Sequence, residues 1–162
     1  MVVAHSYGGI IATEAAGGLE TVRHLLFVSS YLPEVGQSLS SFATEEPAPF
    51  LDIDPEDGTF TVRPDALADT FLQDCDAVIQ REAIDKTARQ SLAVLGQPVQ
   101  SAAWQHIPST YVVCAKDRGT PAHLQREFAG RAGNIVELDA GHHPFLSQPS
   151  AVCDLIHELG GF

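Results

Sequence analysis

Apolar residues fall along this chain in short unbroken runs, not in alternation with polar ones. The runs cover residues 2–4 (VVA), 24–30 (HLLFVSS), 110–115 (TYVVCA) and 134–138 (NIVEL). Continuous stretches of this length predict strands covered on both faces, as in a parallel sheet. Residues 9–16, 121–132 and 150–159 carry helical patterns instead, and each is followed by glycine (Gly17 and Gly18, Gly133, Gly160 and Gly161) as a C-terminal stop. Strand then helix, repeated, predicts an α/β fold with right-handed crossovers.

Residues 34–106 break that rhythm. The part up to residue 60 is rich in Pro, Ser and acidic residues and predicts a loop with room for a short hairpin. Residues 63–90 read as helical, with Pro64 at a first helical position and Leu67, Phe71, Val78 and Ile79 on one stripe. Roughly 70 residues is too long for an ordinary connection between core strands. Residues 34–106 are therefore read as an inserted helical cap, and 1–33 with 107–162 as the core.

Composition narrows the function. A chain of 162 residues fits one domain with one sizeable core. Nine Lys and Arg against 21 Asp and Glu give a net charge of −12, which repels phosphate backbones and anionic membrane surfaces. Neither nucleic acid nor a membrane is expected as a partner. Cys75, Cys114 and Cys153 lie far apart without C-x-x-C spacing, so neither a disulfide framework nor a zinc site is predicted. No basic segment precedes an apolar N-terminal stretch, and the expected location is the cytoplasm.

The chemistry concentrates at VVAHSYGG. Ser6 sits between small residues, after β-branched residues and before the helical 9–16 segment, as a nucleophile elbow requires. The elbow holds the hydroxyl above the sheet and aims the N–H of the next residue, Tyr7, at a developing oxyanion. A buried small-residue turn without chemistry is the plainer alternative. A nucleophilic serine needs a base and an orienting carboxylate, in the chain order Ser, acid, His. Asp117 follows the third run and His142 follows the fourth, where that order places them. Adjacent His142 and His143 compete for the role of base. His5 is expected to point away from the serine, and His24, His106, His123 and His157 fall at a strand start or on surfaces. A metal held by the histidine pair is the rival reading, but neighbouring histidines are expected to diverge and no HExxH spacing exists. No metal or cofactor is predicted.

AHSYGG, CAKDRGTPAHLQREFA and AGHHPFLSQP together resemble the α/β-hydrolase superfamily, in particular the branch of plant methyl esterases and hydroxynitrile lyases with their bacterial esterase relatives. The resemblance implies Asp117, followed by Pro121 and Gln125, as the acid, and His142, before Phe145-Leu146-Ser147, as the base, leaving His143 a bystander. Lyase members carry lysine after the base, where this chain has His143, so ester hydrolysis is favoured over cyanohydrin cleavage. Asp74-Cys75-Asp76 and Trp104 resemble cap features of the bacterial members.

The resemblance covers the C-terminal half of that fold, about four parallel strands flanked by helices with a helical cap. It implies further strands before the elbow strand, from a truncated reading frame, a wrong start or a split gene. It also implies an unpaired elbow strand through which copies could associate, and a second oxyanion donor not found in these residues. The expected function is hydrolysis of a small carboxylic ester, impaired by the missing half. Tyr31, Phe71 and Trp104, with Tyr7, Phe42 and Phe50, are the expected pocket residues, with ordinary cap core as their alternative. A non-catalytic binding module and an inactive hydrolase fragment are the competing readings.

Overall fold

The computed structural model describes residues 1–43 and 48–161; residues 44–47 of the expected loop lie outside the described residues. Four parallel strands form one sheet in the order β1 (Val2–His5), β2 (Leu25–Val28), β6 (Ser109–Cys114) and β7 (Asn134–Leu138). Phe27 lies opposite Tyr111, and Val112 opposite Val136. Every residue of the two central strands, β2 and β6, is buried, which is why their sequences show no alternation. The outer strands are half exposed, and among the described residues β1 pairs on one side only.

Helices cover both faces. Leu25, Phe27, Tyr111 and Val113 face Ala12 and Ala16, at the end of α1 (Gly8–Ala15), and Phe128 and Ala129 of α4 (Ala122–Ala129). On the other face Leu26, Val28, Val112 and Cys114 pack against Leu155, Ile156 and Leu159 of α5 (Pro149–Gly160). α4 ends three residues before the predicted stop at Ala132. Two short turns run from Phe128 to Arg131 and from Ala129 to Ala132 in place of its last turn. No helix among the described residues is long and apolar enough to cross a membrane.

Residues 34–106 carry helices and a hairpin, as expected, with a third short strand added to the hairpin. They contain a three-stranded antiparallel sheet of β3 (Leu51–Asp54), β4 (Thr59–Val62) and β5 (Gln90–Ser91). The hairpin turn is held by Asp54 Oδ1, which accepts from the Glu56 and Asp57 amides. Helix 63–90 is in fact two helices, α2 (Pro64–Phe71) and α3 (Ala77–Asp85). The break has a local cause: Asp76 accepts from the Val78 and Ile79 amides and so caps a new helix. Residues 72–76, left between the helices, reach back to the core.

Candidate active site

The carboxyl ends of β1, β6 and β7 converge on one edge. Ser6 follows β1 with a φ of 50°, in the left-handed region. A non-glycine residue there costs on the order of 1 kcal/mol and persists only where its surroundings over-determine it. Three donors pin its carbonyl: Gly9 N at 3.1 Å, Tyr31 N at 3.3 Å and Ser30 Oγ at 2.8 Å. α1 starts directly after, and the Tyr7 N–H has no hydrogen-bond acceptor among the described residues. A free amide at a helix N-terminus is a ready donor to an anion.

Asp117 sits on the turn after β6, with its side chain fully buried. Its Oδ1 accepts from the Gly119 and Thr120 amides at 2.8 and 3.0 Å. Its Oδ2 accepts from Gln125 Nε2 at 2.8 Å and from His142 Nδ1 at 2.7 Å. Gln125, also buried, is saturated: Oε1 accepts from Cys114 N and Nε2 donates further to Thr120 O. A carboxylate held by four donors cannot rotate, so it fixes the imidazole plane and leaves the proton of His142 on Nδ1.

His142 is 2% exposed. Phe71 lies edge to face against its ring at 4.9 Å, and His5 at 4.6 Å. The adjacent histidines do not diverge: His143 lies 4.9 Å from His142 and 4.8 Å from His5. The reason is that His5 turns into this edge, where its Nε2–H donates to the His142 carbonyl at 2.8 Å while His143 Nδ1–H donates to Phe71 O at 3.0 Å. The three histidines offer ligand atoms within 4.8 Å of one another. Tetrahedral zinc, with Zn–N near 2.0–2.1 Å, needs nitrogens roughly 3.3 Å apart, so these rings would have to draw together to hold it.

Of the expected pocket residues, Phe71 reaches the site, with Phe50 edge to face on it at 5.1 Å. Tyr31 stacks with Phe42 and meets Phe128 in the core. Trp104 packs on the same core, donating to Pro33 O, and borders a surface concavity with Pro108 and Ser109 at the opposite end of β6. In the sequence, Gln125 is legible only through the family resemblance, and the ring of His5 in this edge has no signal. Burial raises the Cys114 thiol to about 12 and Cys75 to about 11, so neither competes as a nucleophile.

Burial, and then the charge of His142, lowers His5 from 6.5 to about 2 and His143 to about 4. The unfolded chain takes up these protons near pH 6.5, whereas the folded protein refuses them until far lower pH. Unfolding therefore binds protons, and stability is complete above pH 6.5 and falls with acid below it. Between pH 6.5 and 5.5 the two histidines together cost about 2 kcal/mol. Urea midpoints across that range should fall accordingly, and less so in His143→Phe; midpoints that do not move would contradict the burial of both rings.

Comparison with known proteins places the chain in a family. The model of the alpha/beta hydrolase family matches residues 1–155. The α/β hydrolase nvfD of Aspergillus novofumigatus is 29% identical over 174 residues, covering 99% of this chain and 70% of that protein. R7, a probable hydrolase of Phoma sp., is 30% identical over 171 residues with the same coverage. Among solved structures, polyneuridine aldehyde esterase superposes with a TM-score of 0.80 at 22% identity, over 98% of this chain and 70% of its own. Tomato methylketone synthase I superposes with a TM-score of 0.81 at 13% identity, over 98% of this chain and 69% of its own. The family match spans nearly the whole chain, and the chain belongs to the alpha/beta hydrolase family.

Proposed function

We propose that this hydrolase cleaves a small carboxylic ester with Ser6 as nucleophile, His142 as general base and Asp117 as the orienting acid. The observation that carries this reading is the 2.7 Å bond from His142 Nδ1 to the buried carboxylate of Asp117. With its proton committed to Nδ1, the imidazole has its lone pair on Nε2, free to take the hydroxyl proton of Ser6.

Ser6 Oγ attacks the ester carbonyl as His142 Nε2 accepts the proton, and the Tyr7 N–H stabilises the oxyanion. The intermediate collapses, His142 protonates the departing alcohol, and the acyl group stays on Ser6. Water then gives a proton to His142 and attacks the acyl carbon, and the acid leaves as Ser6 recovers its proton. The imidazolium formed in each half is stabilised by Asp117. The described residues supply one oxyanion donor; a site with one in place of two turns over roughly 100- to 1,000-fold more slowly. Phe71, beside His142, and Phe50, packed on Phe71, support an apolar wall for the substrate.

A fluorophosphonate probe tests the reading directly. Mass spectrometry is expected to find one adduct, on the peptide containing Ser6, and prior incubation with a short-chain p-nitrophenyl ester should slow its formation. A folded protein that takes no label, or takes it elsewhere, overturns the assignment.

A further inference from the structure

We propose that Asp74, at the break between the two cap helices, is a positioning residue that holds the base loop in register with the acid loop; the proposal rests on the catalytic reading of Ser6, Asp117 and His142. Asp74 Oδ2 accepts from the Gly141 amide at 2.6 Å, one residue before His142. Its neighbour Gln73 donates from Nε2 to Lys116 O at 2.7 Å, one residue before Asp117. Two consecutive cap residues thus grip the backbone immediately ahead of both partners of the acid–histidine pair.

The rest of this segment reinforces the grip. The Phe71 carbonyl accepts from His143, and Arg118 Nη1 donates to Asp69 O at 3.1 Å. The Phe71 ring lies between the two loops, against His142 and so close to Gly119 that a Cβ there would come within 2.1 Å of it.

Gly141 points to the same role. Its backbone lies outside the positive-φ region, so conformation does not demand glycine. Space does: a Cβ would fall 2.4 Å from Asp74 Oδ1 and 2.7 Å from Gln73 Nε2. The glycine before His142 is accounted for by the close approach of Asp74. That approach is not explained by stability alone, because Asp74 Oδ1 and Gln73 Oε1 are buried without hydrogen-bond partners in the protein. A buried acceptor left unpaired is unfavourable and marks a place held for something other than packing.

The test compares Asp74→Ala with Asp74→Asn, whose side-chain carbonyl can still accept from Gly141. In Asp74→Ala, kcat for a p-nitrophenyl ester per fluorophosphonate-titrated site should fall about 10- to 100-fold, with KM within about twofold, since small misplacements of reacting groups cost rates of this order. Asp74→Asn should recover to within about threefold of the wild type. Gly141→Ala should behave as Asp74→Ala. A merely structural residue would lower the melting temperature and the titrated fraction but not the rate per titrated site. A second readout does not need turnover: the downfield NMR signal of the buried His142 Nδ1 proton should broaden away in Asp74→Ala and persist in Asp74→Asn.

Asp74→Ala with that signal intact overturns the proposal, as does Asp74→Asn behaving like Asp74→Ala. A wild type without the signal overturns it too, since no held pair would then exist. A wild type that shows the signal but takes no label on Ser6 defeats the catalytic reading instead, and the signal in the variants still decides whether Asp74 holds the pair.

Discussion

Asp117→Asn is expected to lower kcat about 10⁴-fold while leaving KM and the fold nearly unchanged. The carboxylate faces donors only: the Gly119 and Thr120 amides on Oδ1, and Gln125 Nε2 and His142 Nδ1 on Oδ2. Asparagine has one acceptor, and the two backbone amides claim it. Its NH2 group then occupies the place of Oδ2, against two donors. Gln125 cannot turn to receive it without releasing both Cys114 N and Thr120 O. His142 is the group that yields: its proton moves to Nε2 so that Nδ1 can accept. The imidazole then offers Ser6 a proton where it should offer a lone pair. The remaining donor–donor contact with Gln125 should cost about 1–3 kcal/mol of stability, read from urea unfolding. A variant that keeps more than a tenth of wild-type kcat would show that tautomer control by Asp117 is not part of the mechanism.

The core was legible because its physics is local to each strand. Strands buried on both faces, such as β2 and β6, carry unbroken apolar stretches (Leu25–Val28 and residues 111–114), and that is visible without neighbours. Ser6, Asp117 and His142 could be named as candidates because each lies just after such a run, and the structure places the last two in hydrogen-bond contact. The cap was harder to read. Leu67, Phe71, Val78 and Ile79 do form a helical stripe, but the chain breaks at 72–76, where Asp76 caps a second helix and Gln73 and Asp74 bond to residues about 40 and 70 positions away. The ring of His5 was missed for a similar reason. Alternation along β1 says which face a residue occupies, not that the His142 carbonyl will come round to accept its proton. Tyr31 and Trp104 carried two readings in the sequence, pocket wall and core, because aromatic character alone does not separate them; both pack against the main core.

Gly9→Ala should be the most damaging small substitution in the chain, destabilising the protein by on the order of 3–4 kcal/mol. Gly9 is buried in the first turn of α1, where the helix crosses the segment after β2. A Cβ would come within 2.0 Å of Ser30 Oγ and 2.3 Å of the Tyr31 carbonyl. The hydroxyl could rotate away, but it would then give up its 2.8 Å bond to the Ser6 carbonyl. The Tyr31 carbonyl is backbone and cannot move alone, because the Tyr31 amide also donates to Ser6 O. The methyl group therefore loosens the bonds that keep Ser6 at its positive φ. For a chain of this size the loss corresponds to a melting temperature lower by roughly 10 °C. Gly8→Ala provides the contrast, since a Cβ there meets nothing within 4 Å, and its melting temperature should stay within about 2 °C of the wild type. Scanning calorimetry of the pair separates close packing from general intolerance of the elbow: equal losses would mean that the turn needs two glycines for its backbone, whereas a loss confined to Gly9→Ala would place the constraint in the contact with Ser30 and Tyr31.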